Sequence, residues 1–294
     1  MSRSNLARLL VSCPDREGII AALSSALAEA GANITSSDQF SSDPQGGHFS
    51  LRMEFYLPEP DGHIGEPEGR FPALEQRLEE IGRELQLDYR LIDARKRKRV
   101  ALFVSRYDHC LLDLLWRWHH GDLAMDIVMV ISNHPDLAVE AARWGVPYHH
   151  IPVTKESKAQ AEAAQLELLH TNGGVDLVVL ARYMQVLSSD FLHKVGCPVI
   201  NIHHSFLPAF AGANPYQRAY HRGVKLIGAT AHYATEDLDE GPIIEQDVVR
   251  VSHREDAAEL ERIGADVERL VLARAVDRHL QDRVLLQGHR TVVF

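Results

Sequence analysis

The segment Val199 to Phe210 reads VINIHHSFLPAF, and the reading of the chain turns on it. An apolar pair, Val199 and Ile200, leads into Asn201, Ile202 and His203, and Pro208 ends the run. Successive strand side chains point to opposite faces, so Asn201 and His203 share one face and Ile202 takes the other. The polar pair therefore lies near the carboxyl end of a strand, where open α/β sheets bind ligands. Further on, His232 to Asp247 reads HYATEDLDEGPIIEQD. Its acidic loop, Glu236-Asp237-Leu238-Asp239-Glu240, turns at Gly241-Pro242 before another apolar run. An amide donor, an imidazole and a carboxylate suit attack on a carbonyl: one binds the oxygen, one moves protons, one orients water. On the residues alone a second reading stands, with Asn201 and His203 as satisfied structural groups and the acidic loop as a solvated turn. A metal pair at His203-His204 is disfavoured, because neighbouring strand residues face apart. No HExxH or CxxC spacing occurs elsewhere.

Around this segment the pattern is α/β. Strands are expected over Val100–Val104, Ile127–Ile131, Val175–Leu180, Val199–His203, Ala229–Tyr233 and Ile243–Val251. Helical stretches between them are Cys110–Trp118, Asp136–Trp144 and Ser157–Leu169, with a long helix from Ala257 to Arg283 that Gly264 is expected to bend. Such alternation implies a mainly parallel sheet covered by helices. The first third differs. Strand Leu6–Val11, helix Arg16–Ala30, strands Ile34–Phe40 and Phe49–Leu57, helix Phe71–Glu84 and strand Leu87–Ile92 give the ferredoxin-like order β-α-β-β-α-β. Pro58 to Gly69, rich in Pro, Gly and acid, reads as a loop. The boundaries are 1–94 for a first domain, 95–99 for a basic linker (Arg95 to Arg99, RKRKR) and 100–294 for a second domain.

A net charge of −10 argues against general affinity for nucleic acid. Three cysteines, Cys13, Cys110 and Cys197, cannot build a disulfide framework and fit a reducing compartment. The N-terminus lacks a signal-like apolar core, and no apolar run approaches the ~18–20 residues that cross a bilayer, so cytoplasmic residence is expected.

NIHHSFLPAF, GVKLIGATAHY (Gly223 to Tyr233) and LDEGPIIEQD (Leu238 to Asp247) resemble the hallmark blocks of the formyltransferase fold family. That family includes glycinamide ribonucleotide formyltransferases, methionyl-tRNA formyltransferases and formyltetrahydrofolate deformylases. The doubled His203-His204 and the block GANPYQRAYHRGVK (Gly212 to Lys225) resemble the deformylases most closely. The opening CPDREGII (Cys13 to Ile20) looks like the start of an ACT domain, and an ACT domain before this catalytic domain matches the deformylase family.

The resemblance implies an ACT domain followed by a mainly parallel, Rossmann-like formyltransferase domain. The implied activity is hydrolysis of 10-formyltetrahydrofolate to tetrahydrofolate and formate, supplying formate for purine synthesis and balancing one-carbon folate pools. The catalytic trio falls on Asn201, His203 and Asp239, with Asp237 as the competing register. The folate pocket falls on Met184, Gln185, Val186 and Leu187, with His232 beside it. Pro215, Tyr216, His221 and Arg222 are candidates for the acceptor side. Gly18 and Asn33 lie where such first domains bind an amino acid, glycine or methionine by resemblance. A homodimer or homotetramer is expected. The scheme calls for no metal and no cofactor, since folate is consumed as substrate.

One departure bears on the acceptor. A phosphoribosyl-binding member should carry a glycine-containing loop after its first strand, where backbone N–H groups hold the phosphate. Here Val104 is followed by Ser105-Arg106-Tyr107-Asp108-His109-Cys110. There is no glycine, and Asp108 would repel a dianion. Ser105 and Arg106 remain the alternative phosphate grip, with an amine-directed formyltransferase as the competing function.

Overall fold

The computed structural model describes residues 5–43, 45–57, 70–171, 173–209 and 214–294. It forms two compact units, 1–97 with 282–287 and 292–294, and 98–281 with 288–291.

The first unit runs β1 (Leu6–Pro14), α1 (Ile19–Glu29), β2 (Asn33–Ser41), β3 (His48–Tyr56), α2 (Arg70–Leu85) and β4 (Asp88–Asp93). This is the expected β-α-β-β-α-β order. The strands form an antiparallel sheet in the order β2-β3-β1-β4. Period-2 alternation sends Leu9, Val11, Leu51, Met53 and Phe55 to one face, where they pack with Leu23, Leu27, Leu74 and Leu78 from the helices. Arg52 is buried and held by Glu54 at 3.0 Å, which also takes Arg8 at 3.0 Å. Arg8 reaches Asp282 at 2.9 Å, so the C-terminal segment contributes to this unit. Residues 58–69, read as a loop, lie outside the described residues.

The second unit holds β5 (Lys98–Val104), α3 (His109–His120), β6 (Met125–Ser132), α4 (Ala138–Arg143), β7 (Tyr148–His150), α5 (Lys158–His170) and β8 (Leu177–Leu180). There follow α6 (Ser189–Lys194), β9 (Val199–His203), α7 (Pro215–Arg222), β10 (Leu226–Tyr233), β11 (Ile243–Arg250) and α8 (Ala257–Leu280). Its sheet has the order β11-β10-β9-β8-β5-β6-β7. The five strands from β9 to β7 are parallel, and β8 is buried throughout, as a doubly covered parallel strand requires. β10 runs antiparallel to β9 and β11 antiparallel to β10, so the sheet is mixed at one side. Strand polarity leaves no mark on a strand's own alternation, so only the parallel majority could be read from sequence.

The basic run is only partly a connector. β5 already begins at Lys98, whose Nζ donates to the His279 carbonyl at 2.8 Å. Arg99 follows within the strand and donates through Nε to the Gly174 carbonyl at 2.8 Å. At the far end α8 stops at Leu280, short of the expected Arg283, and Asp282 takes φ +53°, which no right-handed helix continues. Residues 282–287, read with the second domain, group with the first unit. A ribbon of β12 (Val284–Gln287) and β13 (Arg290–Val293) closes the chain. No helix among the described residues is long and apolar enough to cross a membrane.

Candidate active site

A cavity of about 310 Å³ opens at the carboxyl ends of β8 and β9. It lies beside the sheet's topological switch point between β5 and β8, where the chain leaves β5 toward β6 on one side and returns to β8 on the other. The polar end is built on β9 and β10. Asn201 and His203 both line the cavity, and His232 stands opposite Asn201 in the β9–β10 register.

His232 fixes the amide of Asn201. Its Nδ1 lies 2.9 Å from the Tyr233 carbonyl, which can only accept, so Nδ1 carries the proton. Nε2 is left with its lone pair and accepts from Asn201 Nδ2 at 3.2 Å. Burial pushes the His232 pKa below its ordinary value, against a raising effect from the Tyr233 carbonyl and Asp239. The ring is thereby held neutral, as this acceptor role needs. One Nδ2 proton of Asn201 remains for a ligand.

Asp239 reaches the site because the acidic loop folds back sharply. Gly241 lies against the Tyr233 carbonyl, where a Cβ would collide, and Tyr233 N–H donates to the Pro242 carbonyl at 3.0 Å. Asp239 adopts φ +60°, a left-handed conformation that Asp tolerates better than most residues. Its side chain is 9% exposed, and Oδ1 lies 3.2 Å from His203 Nδ1. The other ring nitrogen of His203, Nε2, is buried without a hydrogen-bond partner. Buried polar atoms are nearly always paired, so an unpaired one beside an open cavity marks a place for a ligand. Asp237, by contrast, is exposed at the cavity rim.

The rest of the cavity is largely apolar. Met184, Gln185, Val186 and Leu187 line it together with Leu192, Ala234 and Leu238. Met184 and Val186 are about half exposed, which is what apolar groups facing an open pocket show. The segment's two ends are held: Met184 N–H donates to Ser105 Oγ at 2.9 Å, and Ser188, whose Oγ caps α6, donates its N–H to Glu162 Oε1 at 2.9 Å. Ser105 is buried and also donates to Asn133 Oδ1 at 2.7 Å. Its hydroxyl is committed inside the protein, which argues against the phosphate grip.

The structure thus brings together the trio, His232 and the segment 184–187. Of the acceptor-side candidates on α7, Tyr216 is buried with its hydroxyl 2.5 Å from Glu268 Oε1. Pro215, His221 and Arg222 do not line the cavity. Gly18, at φ +90°, precedes α1, and Asn33 is exposed at the start of β2. A cavity in the first unit lies instead between α1 and α2, beside Glu29, Gly31, Arg70 and Arg77. Sequence reasoning missed His204, Arg182 and the buried Glu268. The doubled histidine was the available signal for His204. Its neighbour His203 ends β9, so alternation stops there, and both rings line one cavity rather than facing apart.

Comparison with known proteins agrees with this architecture. Residues 98–276 match the formyl transferase family model and residues 7–63 the ACT domain model. The formyltetrahydrofolate deformylase of Mycobacterium tuberculosis is 57% identical over 291 residues, covering 99% of this chain and 91% of that relative. The Bacillus subtilis deformylase is 50% identical, covering 98% and 93%. The crystal structure of a formyltetrahydrofolate deformylase from Pseudomonas syringae superposes with a TM-score of 0.90 at 46% identity, over 98% of this chain and 94% of the other. Two matching domains in the same order, and identity this high along almost the whole length, mean that the chain belongs to the formyltetrahydrofolate deformylase family.

Proposed function

We propose that this protein hydrolyses 10-formyltetrahydrofolate to tetrahydrofolate and formate through Asn201, His203 and Asp239. The observation that carries the assignment of roles is the contact of Asp239 Oδ1 with His203 Nδ1, at one end of a cavity whose remaining surface is largely apolar. Asn201, its amide turned by His232, donates to the formyl oxygen as negative charge develops on it. His203, held by Asp239 through Nδ1, turns Nε2 toward the cavity and serves as the acid that protonates the leaving N10. Asp239 accepts the proton of the attacking water. Met184, Gln185, Val186 and Leu187 hold the pterin. The folate is substrate, and none of these steps calls on another group.

The first unit is proposed to bind an amino acid, glycine or methionine, near Gly18 and Asn33, and to pair two or more copies of the chain. The test of the main reading is direct. Purified protein given 10-formyltetrahydrofolate and no amine should release formate and tetrahydrofolate in equal amounts. Turnover only on addition of glycinamide ribonucleotide or another amine would assign the formyl group to transfer instead.

A further inference from the structure

His204 has no part in the three-group scheme, yet it lines the same cavity as His203. The two rings lie 5.2 Å apart, centroid to centroid, at a tilt of 53°. His204 is 9% exposed, and its Nδ1 is enclosed with no hydrogen-bond partner. A buried polar atom left unmatched carries its full desolvation cost. An apolar side chain at this position would avoid that cost, so the imidazole calls for a ligand that completes it.

What stands behind His204 limits the ligand's size. Its ring is 6.0 Å from that of Tyr216, whose hydroxyl donates to Glu268 Oε1. Glu268 is 1% exposed and also meets His109 Nε2 at 2.8 Å and Arg182 Nε at 3.3 Å. The first is a hydrogen bond; the second is an ion pair in which the Nε–H is not aimed at the carboxylate. Arg182 in turn lies over the Tyr107 ring, 4.5 Å from its centroid. Gly264 on α8 makes room for this wall, since a Cβ there would run into the Tyr216 hydroxyl. A buried carboxylate is thus matched by hydrogen bonds from α3 and α7 and by the charge of Arg182 after β8, and Ser105 is committed to Asn133 and Met184. Among the described residues, the carboxylate on this side of the cavity is already taken up by Tyr216, His109 and Arg182. A substituted amine would have to displace them; a water would not.

We infer that His204 holds the attacking water, and that the closed Glu268 wall behind it makes water the acceptor. This rests on the hydrolytic reading above. The water donates one O–H to Asp239 and the other to an unprotonated ring nitrogen of His204, which leaves an oxygen lone pair directed at the formyl carbon. The C–O bond forms as Asp239 takes the first proton and Asn201 receives the oxyanion. The C–N10 bond then breaks, its electron pair taking the Nε2 proton of His203, and formic acid leaves to ionise as formate. The proton on Asp239 then returns to His203 Nε2 through solvent, since Nδ1, the atom that faces Asp239, keeps its own proton.

The test uses the full chain with 10-formyltetrahydrofolate, following formate release and, separately, tetrahydrofolate binding. His204→Leu, which has no acceptor, should lose roughly 100-fold in kcat while binding tetrahydrofolate as the wild type does. His204→Asn, which keeps an acceptor, should recover part of that loss. If the Leu variant fails to fold, as circular dichroism would show, His204→Ala takes its place with the same expectation. Wild-type kcat in a folded variant without an acceptor would overturn the inference. So would a loss confined to folate affinity, which would make His204 a wall of the pocket only. An inert wild type would sink the hydrolytic reading itself, and it is recognised before any variant is made.

Discussion

Asp237 and Asp239 stand two residues apart in one acidic loop, and their surroundings separate them. Asp239 is nearly enclosed against His203, whereas Asp237 is exposed. Asn201→Ala, His203→Ala and Asp239→Ala should each cost ~10²–10³ in kcat, and pairs should cost less than the product because all act on one transition state. Asp237→Ala should turn over formyl folate near the wild-type rate. Steady-state formate release on folded variants checks the set, and a near-normal Asp239→Ala would refute the chosen register. His232 supplies a pH dependence with a definite sign. Its folded pKa lies below the ordinary 6.5 because of burial. Above 6.5 the ring is neutral in both states. As pH falls from there toward the folded pKa, the unfolded chain takes the proton first, so stability declines. Once the folded ring protonates, Nε2 can no longer accept from Asn201, and kcat should fall on the acid side. His232→Gln, which can still accept, should show a shallower decline in melting temperature across this window. An unchanged slope would remove His232 as its cause. At this scale alternation made Asn201 and His203 legible as one face of a strand. It gave no access to Glu268, whose partners come from α3, α7 and residue 182, far apart in sequence.

Helix α8 shows what an element's pattern reveals and what it conceals. Its start was readable, and Asp256 and Glu259 form a reciprocal capping box there. Gly264, the residue at which the sequence suggests a bend, lies against the Tyr216 hydroxyl. Position 264 therefore sets helix propensity against packing. Ala is better than Gly in a helix interior by about 1 kcal/mol. Its Cβ, however, would push Tyr216 away from Glu268, and a buried carboxylate that loses a donor costs ~1–3 kcal/mol. Gly264→Ala should therefore lower the urea midpoint rather than raise it. In a Tyr216→Phe background, where the hydroxyl is gone, the penalty should shrink. A more stable Gly264→Ala protein would show that the contact relaxes freely. The strand polarity of β10 and β11 belongs to the same lesson: it depends on pairing partners, and those are not written in the strand.

On the scale of the whole molecule, the change from β-α-β-β-α-β to alternating strand and helix was visible in the order of elements alone. The return of residues 282–287 to the first unit was not, because a short strand such as VLLQ carries no signal of which sheet or unit it joins. An ACT domain in front of a hydrolytic site has a consequence that can be measured. If an amino acid binds the first unit and acts on the second, linkage requires that it change folate affinity or turnover, with a coupling free energy typically of ~1–3 kcal/mol. For binding, the effect must be reciprocal: folate must change amino-acid affinity by the same factor. Glycine and methionine should therefore be titrated in turn, with binding measured by calorimetry in the presence and absence of tetrahydrofolate, and formate release followed alongside. At least one should bind and alter the rate. Gly18→Val should weaken that response, because φ +90° strains any β-branched residue whatever space surrounds it. Mass measured in solution gives the number of chains at which this happens, with a closed symmetric pair the commonest outcome. An oligomer in which neither amino acid binds, or binds with no effect on folate, would leave the first unit with assembly as its role.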